Sequence, residues 1–80
     1  MITVRKLLGE VLKDIRVDQG LTLRELSEKS AVSLGYISEI ERGKKEVSSE
    51  VMFSLCKALD VPLSQVFGEV TTEMKVLETV

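Results

Sequence analysis

Signals that start and stop helices follow one another closely along this chain, and they leave room only for short helices. Gly20 ends a first amphipathic stretch in the manner of a C-terminal cap. Thr22-Leu23-Arg24-Glu25 forms a capping box, with a hydroxyl at the cap and a carboxylate three residues on. Ser33 begins another helix, which Gly43 stops. Ser48 or Ser49 opens a fourth, with Glu50 in its first turn. Pro62 suits the first turn of a fifth.

The apolar residues obey the same period. Leu7, Leu8, Val11, Leu12 and Ile15 form one stripe ahead of Gly20. Val51, Met52, Leu55 and Leu59 form another after Ser49. No segment alternates convincingly as a strand does. The expected fold is all-α, a compact bundle of five helices, the fifth ending near Phe67 before Gly68. Val70, Met74, Leu77 and Val80 make the apolar edge of a possible sixth helix. This edge covers the chain's own core or meets a second copy, and the spacing alone leaves both open.

Composition excludes several classes of function. The chain has 80 residues, 44% apolar and 30% charged, which suits one small folded domain. It contains no histidine and a single cysteine, Cys56, so no metal or cofactor site and no catalytic constellation is expected. Cys56 itself is expected in or near the core. Charges interrupt every apolar run, so neither a membrane span nor a signal peptide is expected, and the cytoplasm is the expected compartment. Net charge is −2, yet residues 1–49 hold nine basic against eight acidic side chains and residues 50–80 two against five. A locally positive face is compatible with that distribution.

Residues 23–42 carry the functional signal. Leu26, Val32, Ile37 and Ile40 are apolar, while Ser27 and Ala31 are small, as two short helices crossing steeply require. A pair of this kind, third in such a series, is the pattern of a helix-turn-helix, whose second helix enters the major groove of DNA. That reading explains Gly35. Glycine costs roughly 1 kcal/mol relative to alanine within a helix, but here it clears space for close approach to a duplex. Tyr36, Ser38 and Glu39 are then candidate groove contacts. Tyr36 packs on its neighbours instead in the plainer reading, and Glu39 is either a solvated charge or an acceptor for cytosine N4. Arg42, Lys44 and Lys45 follow the helix and suit phosphate contact better than base reading.

The segment from about Leu8 to Phe67 resembles the Xre/Cro/C1 family of helix-turn-helix transcription regulators. GLTLRELSEKSAVSLGYISEIERG (20–43) and SSEVMFSLCKALDVPLSQVF (48–67) carry the resemblance. Within that family, LRELSEKSAVSLGYISEIERGKKEVSSE (23–50) looks like the ClgR-type regulators of Clp protease genes in actinobacteria. The resemblance implies a lambda-repressor-like DNA-binding domain over residues 1–68, with 69–80 as a tail or helix. It also implies a bidentate pair between Arg16 and Glu41 that locks the reading helix to the scaffold, whose plainer reading is an exposed ion pair. Family members commonly open the second helix with a phosphate-binding glutamine. Leu23 stands there, so that contact is either lost or replaced by Thr22 or Arg24. Ala31 occupies a turn position that is usually glycine. Leu34 and Gly35 occupy the two positions that often read bases, and neither can make a bidentate base contact. Specificity is therefore expected from Ser33, Tyr36, Ser38 and Glu39, together with DNA shape.

The expected function is sequence-specific binding of double-stranded DNA by a homodimer on a near-palindromic operator. Val70, Met74 and Leu77 would supply the dimer contact, and RNA polymerase is a possible further partner. The alternative is an antitoxin-type protein-interaction module, with a tail that orders only on its partner. No enzymatic activity is expected.

Overall fold

The computed structural model describes residues 3–79. They form five helices: α1 Val4–Asp18, α2 Leu23–Ser30, α3 Leu34–Glu41, α4 Ser49–Ala58 and α5 Leu63–Glu78. Among the described residues there is no strand. The first four helices begin on a hydroxyl cap. Thr3, Thr22, Ser33 and Ser48 each accept a hydrogen bond from the amide three residues on. The capping box at Thr22 is complete: Glu25 N–H donates to Thr22 Oγ1 at 3.0 Å, and Thr22 N–H donates to Glu25 Oε1 at 2.9 Å.

The helix ends show how the chain turns. Gly20 and Gly43 both have φ +71° and close α1 and α3. After α3, Gly43 N–H donates to Ile40 O and Lys44 N–H to Glu39 O, the paired bonds of a Schellman cap. Two non-glycine residues do the same task elsewhere. Ala31, at φ 60°, closes α2, and Asp60, at φ 55°, follows α4. A left-handed L-residue costs roughly 1–2 kcal/mol, so the turn between α2 and α3 keeps a glycine-like shape at the expense of strain.

One core serves all five helices. Leu26, Ile37, Ile40, Leu55, Leu59 and Val66 are its most deeply buried members. Val32 is buried in the turn between α2 and α3, as its place in the pattern predicts. α1 packs on α3 and α5, and α2 packs on α3 and α4. Among the described residues no helix is long and apolar enough to cross a membrane.

Two expectations need correction. Gly68 does not end a helix. α5 runs without a break for 16 residues, so residues 69–78 continue the fifth helix and form no sixth. A glycine stops a helix when the chain takes a left-handed turn there, and Gly68 has no positive φ. Val66 and Val70, one turn apart on either side of it, are both buried and hold the two turns against the same core. For the same reason Val70 leaves the expected dimer contact: it is 4% exposed and belongs to this chain's own interior. Met74 is half-buried and Leu77 exposed. Val80 lies outside the described residues.

Candidate nucleic-acid interface

The two ends of α3 differ in what surrounds them. At the C-terminal end, Arg16 of α1 meets Glu41 through two bonds. Nε donates to Oε2 at 2.7 Å and Nη2 donates to Oε1 at 2.9 Å. Nη1 donates to Leu21 O at 2.7 Å, so the guanidinium also holds the turn leading into α2. Arg16 and Glu41 are 8% and 9% exposed, so the plainer reading of a solvated pair does not hold. The bonds to Glu41 hold the Arg16 pKa above its ordinary range, against the opposing effect of burial. The guanidinium stays charged at any physiological pH.

The N-terminal end is open. Ser33 Oγ accepts from Tyr36 N–H at 3.2 Å, while the first two amides of the helix, Leu34 and Gly35, have no intrahelical acceptor. Leu34 is 40% exposed. A Cβ built on Gly35 would meet no atom within 4 Å. Nothing in the chain itself therefore asks for glycine at position 35.

Tyr36 packs on its neighbours, as in the plainer of its two readings. Its ring is half-buried against the core, and its hydroxyl donates to Glu46 O at 3.0 Å. This bond ties the first turn of α3 to the segment joining α3 to α4. Glu46 also lies 3.3 Å from Arg5 on α1, in an exposed pair of small energetic weight. Tyr36, Glu39 and Lys45 surround a shallow hollow of about 400 Å³. Lys45 Nζ stands 3.9 Å from Glu39 Oε2, so Glu39 already has a cation nearby. Ser38 is half-buried, and its carbonyl accepts from Arg42 Nε at 3.3 Å. Lys44 and Lys45 are exposed. Thr22 and Arg24, both exposed, sit at the start of α2, with the Thr22 hydroxyl committed to the capping box.

Three contributors were absent from the sequence reading. The Arg5–Glu46 pair and the Tyr36–Glu46 bond span 41 and 10 residues, and no periodic pattern reports such partners. The third is Gly9, buried in α1 against the last turn of α3. Its signal was available: a lone glycine inside an amphipathic helix commonly marks close packing.

The helix-turn-helix family pattern matches residues 12–66. The chain belongs to this family, of the Xre/Cro/C1 type. It is 57% identical over 63 residues to the transcriptional regulator ClgR of Mycobacterium tuberculosis, an alignment covering 79% of this chain and 56% of that protein. The chain thus spans little more than half the length of that relative. The crystal structure of the clp gene regulator ClgR from Corynebacterium glutamicum is 46% identical, with a TM-score of 0.90 over 98% of this chain and 83% of that one. The restriction-modification controller protein C.Esp1396I, as a tetramer on its 35 base-pair operator, is 27% identical. Its TM-score is 0.84, over 91% of this chain and 96% of that one.

Proposed function

We propose that this chain is a sequence-specific, duplex-DNA-binding transcription regulator that acts as a homodimer, with α3 in the major groove of each half of a near-palindromic operator. The observation that carries the reading is the contrast along α3. The helix is fixed by a buried, bidentate ion pair at one end, and it offers open amides and a side-chain-free position at the other. A recognition helix meets bases and phosphates with its N-terminal end, which this arrangement holds out and leaves open. The similarity to a controller protein solved on its operator supports the same reading.

The roles follow from placement. Gly35 lets the backbone approach the duplex, and the free amides of Leu34 and Gly35 meet a phosphate. Ser33, Tyr36, Ser38 and Glu39 face bases, and Arg42, Lys44 and Lys45 neutralise phosphates, with Thr22 or Arg24 adding one more. Similarity to regulators of clp genes favours genes of Clp proteolysis as targets. The reading places the chain in the cytoplasm, where RNA polymerase is a further partner. Exposed Phe67 and Leu77, with half-buried Met74, supply an apolar face on α5 for a second copy. The helix continues through Glu78, which favours a self-associating tail over one that orders only on a foreign partner.

Selection from a random duplex pool, followed by binding at several salt concentrations, tests the proposal. Affinity falls linearly on a log–log plot as salt rises, and Lys44→Ala reduces the slope by about one. Absence of binding at low salt defeats the reading. For the dimer, Leu77→Asp lowers the sedimenting mass toward that of one chain. An unchanged mass removes Leu77 from the contact.

A further inference from the structure

One stripe of α1 runs along the trailing half of α3. Lys6, Gly9 and Arg16 lie on it at helical spacing. Each meets the same short region. A Cβ on Gly9 would stand 2.9 Å from Glu41 O and closer still to Ile40 O. One on Gly43 would stand 2.9 Å from Lys6 Cα. Arg16 grips the Glu41 carboxylate. The atoms facing Gly9 are backbone, which cannot rotate away as a side chain can. Contact at Gly9 is therefore helix against helix, and it sets the separation and tilt of α3 at its last turn. α3 has eight residues and is about 12 Å long. A shift at the seated end is carried along this rod to the leading end.

We infer that Gly9 is a positioning residue for DNA reading: its missing side chain seats the last turn of α3 on α1 and thereby aims Leu34, Gly35 and Tyr36 into the groove. The inference rests on the DNA-binding reading above. Gly9→Ala adds one carbon that the seat has no room for, while alanine is the better helix former within α1. Any loss therefore arises at the contact with α3, not within α1. Gly68→Ala is the matching control, since a Cβ there meets nothing within 4 Å.

The test compares wild type, Gly9→Ala and Gly68→Ala on two duplexes, the one recovered by wild type from a random pool and an unrelated one at low salt. Amide spectra of the free proteins are recorded alongside. Gly9→Ala weakens binding to the selected duplex about tenfold, comparable to one mismatched base pair. It changes the unrelated duplex by less than about twofold, because phosphate contacts tolerate small displacements. Its amide shifts concentrate on residues 34–43. Gly68→Ala matches wild type on both duplexes. If Gly9→Ala fails to fold, Arg16→Lys loosens the same turn while keeping the charge, and the same split between the duplexes is expected. Equal binding by the variant and wild type, or equal losses on both duplexes, overturns the inference alone. A wild type that binds neither duplex overturns the DNA reading and this inference together.

Discussion

At its C-terminal end, α3 is gripped by α1 through the Arg16–Glu41 fork, a glycine seat at Gly9 and a glycine cap at Gly43. At its N-terminal end it has one hydroxyl cap, an exposed leucine and a glycine beside empty space. A single helix of eight residues thus joins a region built for rigidity to one built for access. The difference shows how a chain of this size presents a reading helix. It anchors the end away from the ligand and leaves the other end nearly bare. The two ends should consequently respond differently: losses at the open end show in affinity alone, whereas losses at the anchored end show in stability and, through the aim of α3, in binding to the selected duplex.

The largest effect is expected at the anchored end. Glu41→Ala leaves the Arg16 guanidinium buried without its carboxylate, which costs about 3–5 kcal/mol of unfolding free energy. A domain with roughly 5–15 kcal/mol in total would lose a large share. Denaturant unfolding measures this, and a loss below about 1 kcal/mol would mean the pair behaves as a surface one. Gly35→Leu is the counterpart at the open end. Its stability does not fall and rises by up to about 1 kcal/mol, since leucine is the better helix former and a Cβ there meets no atom within 4 Å. Its affinity for selected DNA falls tenfold or more, equivalent to about 1.4 kcal/mol. Equal affinity would remove the clearance argument.

The turn feeding the open end gives a smaller signal. Ala31→Gly relieves a left-handed alanine and raises stability by up to about 1 kcal/mol, measured by denaturant midpoint. A destabilised Ala31→Gly would show that the alanine methyl contributes packing worth more than the strain. The smallest effect concerns pH. Bonds with the Thr22 backbone and side chain hold the Glu25 carboxyl below the ordinary glutamate range. The capping box is therefore fully formed above that ordinary range and weakens as pH falls through the lowered value. Stability of Glu25→Gln should depend less on pH across this acid window than that of wild type, followed by thermal unfolding. An unchanged dependence would assign the acid loss to other carboxyl groups.

Much of this contrast was legible in the residues. The caps at Thr22, Ser33 and Ser48 and the stops at Gly20 and Gly43 placed four helices, because capping is local chemistry. Arg16 and Glu41 came from family resemblance, since no local rule pairs residues 25 apart. Gly68 misled because glycine is ambiguous without its backbone angle. Burial of Val66 and Val70 on either side outweighed its poor helix propensity. Gly9 and the Tyr36–Glu46 bond depend on how helices and loops meet in space, which periodicity does not encode.

Backbone amide spectra recorded while the chain is titrated with its selected duplex test the central claim most directly. The account predicts shifts at Leu34, Gly35, Tyr36, Ser38 and Glu39 and at Lys44 and Lys45, with the outer face of α4 and the middle of α1 unchanged. Shifts that bypass the first turn of α3 and gather elsewhere would contradict it.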